Sequence, residues 1–177
     1  MSDTSTSSQT ESAKQIDQLV ASLSNDDGLK RQDARRRLVH IGSPAVPSLI
    51  SALKNKKHRV RWEAAKALAS IRDPQAAPAL VEALMDENFE IQWLAAEGLI
   101  ELGHDAVKAL LEALVLHYES VYLRQGAHHV LYELERQKLL NEQETAVIDG
   151  LRSIEPRHPF PEVARVALAA MNRSSNG

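Results

Sequence analysis

The sequence contains no cysteine, which excludes disulfide bonds, thiolate nucleophiles and thiolate metal sites. Aromatic residues make up only 4% of the 177 residues while 44% are hydrophobic, so the core has to be built from Leu, Ala, Val and Ile. That composition is typical of packed helices. No apolar run approaches the roughly 18 residues that a membrane span requires. We therefore expect a single all-α domain that binds no membrane and resides in the cytoplasm.

One sequence pattern recurs about every 31 residues. Its clearest copy is Val60-Arg61-x-x-Ala64-Ala65-x-Ala67-Leu68-x-x-Ile71, whose apolar residues follow a helical period. Further copies begin at Lys30, Ile91, Leu123 and, more weakly, Val163. A second apolar segment such as Leu80–Leu84 precedes or follows each copy. The repeating unit is therefore predicted to be a helical hairpin, and we call its second helix the template helix.

Turn residues divide the chain into five hairpins. Asp73-Pro74 and Ser43-Pro44 provide a capping side chain followed by proline, while Gly42 and Gly103 follow template helices, where a left-handed cap favours glycine. The predicted hairpins span residues 13–41, 43–71, 73–102, 104–135 and 142–172. Residues 1–12 and 173–177 are predicted to be disordered tails, and residues 155–161 an extended connection.

The segment from Val60 to Glu87 resembles HEAT repeats, specifically the short HEAT-like class of phycobilisome lyases, and the resemblance covers residues 13–172. It implies an α-α superhelix, a right-handed solenoid of about five hairpins with the template helices on its concave side. Two copies lack the family's arginine, at Gln92 and Ala164, and two loops carry Asn25 and Asn55 instead of aspartate. These departures predict an interrupted Asp/Arg ladder.

Winding the template helix at 100° per residue places Ala64, Ala67 and Leu68 on the buried face and Trp62 on the opposite one. Both tryptophans of the protein, Trp62 and Trp93, then share one column on adjacent repeats. Exposed paired indoles indicate a binding surface, although packing against the short alanine face is the alternative. The predicted concave-face site comprises Gln32, Arg36, Trp62, Glu63, Lys66, Trp93, Glu97, Gln125 and His129.

A basic segment suggests a second kind of site. Lys54, Lys56, Lys57 and Arg59 form the densest run of positive charge, so anion or nucleic-acid binding is possible there. The alternative is a solvated helix rim. Residues 1–72 carry 13 Lys/Arg and 7 Asp/Glu, whereas residues 73–177 carry 8 and 17, for net charges of +6 and −9. Because the whole chain is acidic, nucleic acid is not the expected partner.

Catalytic signatures are absent from the sequence. There is no glycine-rich phosphate loop, no G-x-S-x-G motif and no His-Glu dipeptide of the kind that HEAT-like di-iron hydroxylases carry. His129 and Glu133 are spaced for one helical face but are interpreted as surface residues rather than metal ligands. We therefore expect no enzyme activity, no metal and no cofactor.

The sequence predicts a non-catalytic scaffold or adaptor that binds a protein or peptide on its concave face. Its oligomeric state is open, with a monomer as the expectation. One alternative, implied by the family resemblance, is a bilin-lyase-like or chromophore-handling subunit, for which the chain looks short. The other is nucleic-acid binding through the basic amino-terminal half.

Overall fold

The structure is a computed structural model that describes residues 3–152 and 160–174. Within these ranges the chain forms ten α-helices and no strand. Short 3-10 turns at Ser43–Ala45, Pro74–Ala76 and Gly103–Ala106 lead into α3, α5 and α7. The helices are α1 (Asp3–Ser22), α2 (Gly28–Ile41), α3 (Val46–Ala52), α4 (His58–Ile71), α5 (Ala77–Ala83), α6 (Phe89–Leu102), α7 (Val107–Leu116), α8 (Val121–Arg136), α9 (Glu142–Arg152) and α10 (Phe160–Ser174).

The helices are arranged in two layers, as expected for an α-solenoid. The template helices α2, α4, α6 and α8 pack side by side in chain order and form the template layer. On the other side α1 packs beside α3, and α5 beside α7. The equivalent leucines of the four template helices, Leu38, Leu68, Leu99 and Leu131, are all buried. The repeat thus places the same side chain in the core once per hairpin, which confirms the predicted fold class.

Small residues allow neighbouring template helices to approach closely. A Cβ atom at Gly98 of α6 would lie 3.2 Å from the Cβ atom of Ala69 in α4 and 3.1 Å from Leu80 Cδ1. Because there is no room for a larger side chain, this spacing depends on glycine and alanine. The close approach supports, but does not test, the prediction that the template layer is the concave one.

The turns between hairpins follow the sequence signals in part. Gly42 and Gly103 have positive φ of 74° and 63°, which favours glycine as predicted, but their ψ of −140° and −136° differs from that of a left-handed helical cap. Asp73 accepts a hydrogen bond of 2.9 Å from the Gln75 backbone N–H, as predicted for an N-cap. Ser43 is the first residue of its turn, and the N-cap position predicted for it is occupied by Gly42. The hydrogen bond of Ser43 with Asp73 lowers the pKa of that carboxyl, and the Gln75 bond adds to the effect.

Helix α1 begins at Asp3, so residues 3–12 are helical where the sequence predicted a disordered tail. At the other end α10 continues to Ser174, two residues into the second predicted tail. The predicted extended connection, residues 155–161, lies outside the described residues except for its last two, which already belong to α10.

The last hairpin has the opposite layer order from the other four. Helix α9 packs against the template helix α8, whereas α10 packs against α7 and α9. The sequence predicted the reverse, because the Val163 copy identified α10 as a template helix. The buried residues of α10 include Ala164 and Ala167, and this small face fits against α7. Ala164 also replaces the arginine that holds a loop in other copies.

Candidate functional site

In the first four template patterns the side chain of the second residue donates a hydrogen bond to a carbonyl of the loop before its own helix. Arg61 Nη1 donates to the Asn55 carbonyl at 2.9 Å, and its guanidinium pairs with Asp86 at 2.7 and 3.0 Å. The hydrogen bond with Asp86 raises the pKa of Arg61, against the effect of burial. Gln92 achieves the same loop contact without charge, because its Nε2 donates to the Asp86 carbonyl at 2.6 Å. These bonds fix the loops at the start of the template helices.

The loop positions that differ between Asn and Asp form one and the same turn. Asn25, Asn55 and Asp86 each accept a 2.9 Å bond through Oδ1 from the backbone N–H two residues later. An amide oxygen serves this turn as well as a carboxylate does. Only Asp86 combines the turn with an arginine pair, to Arg61, so the Asp/Arg ladder is interrupted as predicted.

Glu63 was predicted to lie exposed on the concave face, and the structure contradicts this. Its side chain is only 6% exposed and pairs with Arg35 and, at 3.4 Å, with Arg31. Both arginines belong to α2, so Glu63 of α4 connects two neighbouring template helices. A carboxylate enclosed in this way orders the stack and cannot contact a partner directly.

Trp62 is half-buried and packs against the core, so the packing alternative holds in part for this ring. The Lys66 ammonium lies 4.6 Å and the Arg35 guanidinium 5.6 Å from its ring centroid. These cations cover the indole through cation–π contacts. Lys66, another predicted site residue, is therefore already engaged with Trp62.

Trp93 is the more exposed of the two indoles, at 49%. Its ring stacks on His129 of α8, with centroids 5.4 Å apart and an interplanar angle of 23°. The Nε2 atom of His129 is buried and has no hydrogen-bond partner among the described residues. Trp93, His129 and the exposed Gln125 line one hollow of about 170 Å³ between α6 and α8. The structure thus brings three predicted site residues together.

Two aromatic residues that sequence reasoning missed belong to the same surface. Phe89 and Tyr122 are 72% and 57% exposed and line the hollow beside Trp93. Phe89 also lines a wider depression of about 520 Å³ with Trp62, Trp93, Glu90 and Leu94. We call the surface formed by Trp62, Phe89, Trp93, Tyr122 and His129 the aromatic groove.

The missed residues carry a readable signal. Phe89 and Trp93 are spaced i,i+4 and lie on one face of α6, and Tyr122 lies three residues before Gln125 on α8. Both occupy the first turn of a template helix, before the Val/Ile position at which the repeat pattern begins. Extending each column by one turn towards its amino terminus would have included them.

The remaining predicted residues lie apart from the groove. Arg36 is exposed and Gln32 half-buried on α2, and Glu97 is half-buried on α6, but none of the three lines either hollow. Their predicted roles in binding stay predictions.

The basic segment is partly neutralised within the fold. Lys54 pairs with Glu82 at 3.1 Å, and Arg59 pairs with Asp26 at 2.8 Å. Lys56 and Lys57 are exposed, and no ion pair involves them in the described part of the chain. Half of the predicted anion-binding set is therefore engaged with carboxylates of the protein itself, which weakens the nucleic-acid alternative.

No group of three or more His, Asp or Glu side chains in 3–152 and 160–174 is arranged to hold a metal ion. None of the described helices is both long and apolar enough to cross a lipid bilayer.

Part of the chain matches a family model, and its fold resembles solved structures. The family model of HEAT repeats matches residues 16–88, and no curated protein matches the chain. A solved chain from the complex of CpcE and CpcF of phycocyanin lyase from Nostoc sp. PCC7120 superposes with a TM-score of 0.59 at 24% identity. The match covers 88% of this chain and 98% of that chain. An engineered protein gives 0.46 at 20% identity over 89% and 79%, and a designed armadillo repeat protein 0.36 at 15% over 89% and 100%.

Proposed function

We propose that this α-solenoid, whose residues 16–88 are HEAT repeats, is an adaptor that binds a protein or peptide in the aromatic groove. The observation that supports this most is the group of three exposed rings, Phe89, Trp93 and Tyr122, gathered on two adjacent template helices. Exposed aromatic residues beside a hollow are the usual anchors of protein interfaces. HEAT repeats are themselves a protein-interaction fold.

The groove is suited to an extended or helical segment of a partner rather than to a buried small molecule. Its two hollows share Phe89 and Trp93 and are both open, so side chains from one segment can enter both. His129, which stacks on Trp93, has a buried Nε2 atom with no hydrogen-bond partner among the described residues, and a polar group of the partner that reached this atom would satisfy it. Satisfying such an atom stabilises a complex.

Trp93 is the residue with which to test the proposal. Because Trp93 is half exposed while Trp62 packs on the core beside Arg35, we expect Trp93→Ala to weaken binding without unfolding the protein. Loss of a central aromatic anchor costs about 2 kcal/mol, which raises Kd roughly thirtyfold. The measurement is quantitative affinity purification of partners with wild type and variant, followed by titration calorimetry on the partner enriched by wild type.

Leu29→Ala is a matched control, because Leu29 is 76% exposed on α2, outside the groove. It should leave affinity and thermal unfolding unchanged. A partner that binds Trp93→Ala as tightly as wild type would exclude the aromatic groove as the binding site.

The chromophore-handling alternative is supported by fold alone. At 24% identity, the match to the phycocyanin lyase chain concerns architecture. Its 98% coverage removes the expectation that this chain is too short for such a subunit. Co-expression with bilin and a phycobiliprotein separates the two functions, because only chromophore transfer would produce a coloured product.

A further inference from the structure

A third hollow, of about 350 Å³, lies on α8 next to the two hollows of the aromatic groove. It shares Gln125 with the smaller of these, so the two form one continuous surface along the helix. None of the described residues that line this hollow carries a carboxylate. We call it the basic hollow, and its lining residues are Val121, Arg124, Gln125, His128, Leu151 and Arg152.

Arg124 differs from its equivalents in earlier repeats. Arg31 pairs with Glu63 and Arg61 with Asp86, so both guanidiniums are neutralised by an acidic residue of the next repeat. Arg124 has no carboxylate within ion-pair distance among the described residues, and it donates a long hydrogen bond of 3.4 Å to the Tyr118 carbonyl. The inverted final hairpin explains the difference, because α9 takes the place at which the next repeat would supply an acid.

Arg152 enters the same hollow from α9 and is held in position by aromatic and imidazole groups. Its guanidinium lies 5.8 Å from the Tyr132 ring centroid, and its Nε donates to His128 Nε2 at 3.3 Å. Within the described part of the chain its carboxylate neighbour is Asp149, which is 3.6 Å away and 79% exposed, so solvent screens that pair. Two arginines thus line a hollow to which the described lining residues contribute no carboxylate.

We propose that the basic hollow binds a carboxylate of the partner segment whose aromatic or large apolar side chain occupies the aromatic groove. This inference rests on the proposed function and specifies its partner: a peptide with an Asp or Glu close to a bulky apolar residue. Arginine forks bind carboxylates through paired charge-assisted hydrogen bonds. A polyanion is disfavoured as a partner because residues 73–177 carry a net charge of −9 and would repel it. These residues include the basic hollow and all of the aromatic groove except Trp62.

Selection from a random peptide phage library tests this chemistry directly. Wild type should enrich peptides with an acidic residue near an aromatic or leucine, whereas Arg124→Gln/Arg152→Gln should lose the preference for acid. A synthetic copy of the best peptide with its acid changed to the amide should bind wild type about tenfold more weakly. The double variant should bind the acid and amide peptides equally.

Two further variants control for structural effects. Arg136→Gln removes an arginine of α8 that pairs with Glu133 outside the hollow, and it should bind like wild type. Arg124→Lys/Arg152→Lys keeps both charges and should recover most of the acid preference, which a variant that merely damages packing would not do.

The outcomes distinguish the two proposals. Peptides that need Trp93 but show no acid preference, or bind Arg124→Gln/Arg152→Gln unchanged, would overturn the carboxylate site and leave the adaptor function standing. Acidic peptides that need the arginines but not Trp93 would support the basic hollow and count against the aromatic groove. Failure to select any peptide that depends on either set of residues would contradict both.

Discussion

Glu63 shows how one residue in this fold serves the stack rather than the surface. It sits between two arginines of α2 and is almost fully enclosed. A buried carboxylate is tolerated only when its partners compensate for lost hydration. Removal of the Glu63 charge therefore leaves the guanidinium groups of Arg31 and Arg35 partly buried without their carboxylate.

We expect Glu63→Gln to lower the free energy of unfolding by about 2 kcal/mol. Breaking a buried pair costs about 3–5 kcal/mol, and the partial exposure of Arg31 and Arg35 reduces that figure. Chemical denaturation measures the change. Glu112→Gln, at an exposed position of α7, is the control and should stay within about 0.5 kcal/mol of wild type. Equal stability of the two variants would show that Glu63 is not held by its arginines.

The pattern of one helix could not reveal this role. Winding α4 correctly identifies Ala64 and Leu68 as buried, because core positions repeat with the helical period. The enclosure of Glu63 depends on two arginines that α2 supplies, and a single-helix projection contains no information about a neighbour. The same limit applies to Trp62, which the guanidinium of Arg35 covers from α2.

At the scale of elements, the contact between α8 and α9 contains a titratable group. Burial lowers the pKa of His128, and the nearby charges of Arg152 and His129 lower it further. The bond from Arg152 Nε requires the Nε2 atom of His128 to be unprotonated. The hydrogen bond between α8 and α9 therefore forms only when His128 is neutral.

We expect stability to fall as the pH drops from about 7.5 through the ordinary histidine value near 6.5. In that window the unfolded chain binds the proton that folded His128 resists, so acidification favours unfolding. His128→Asn should show a smaller loss between about pH 7.5 and 5.5 than wild type does. The measurement is thermal unfolding across this range, and identical pH profiles for the two proteins would contradict the assignment.

Helix order could be predicted for four hairpins and not for the fifth. In the first four hairpins, the two helices are joined by only a few residues, so each template helix has to pack against the first helix of its own hairpin. Helices α9 and α10 are separated by residues 153–159, a reach that permits either layer. Sequence similarity of the Val163 copy to a template helix therefore did not determine its place.

At the scale of the whole molecule, ion pairs connect the basic first part of the chain with its acidic second part. Lys54 pairs with Glu82, Arg61 with Asp86 and Arg72 with Glu101, so basic residues of the first 72 positions meet acids of the remainder. These pairs reduce the charge available to an external partner of opposite polarity. Local features such as the basic hollow then decide charge selectivity.

Helix α10 covers the end of the core, and we expect its detachment to destabilise the molecule. Ala167 is buried against the stack, whereas Ala169 on the same helix is exposed. Ala167→Glu should lower the free energy of unfolding by several kcal/mol, because a charge would be buried without a partner. Ala169→Glu should have little effect. Hydrogen exchange of α7 and α10 reports the detachment, and unchanged protection in Ala167→Glu would contradict the packing described.

The inverted final hairpin also determines where evolution or engineering can lengthen this array. A duplicated unit inserted between the second and third hairpins would find matching neighbours on both sides. Placed directly after α8, the same unit would occupy the position of α9. It would also supply an acid to Arg124, which would neutralise the positive charge of the basic hollow. Variation in repeat number is therefore compatible with ligand recognition only upstream of the fourth hairpin.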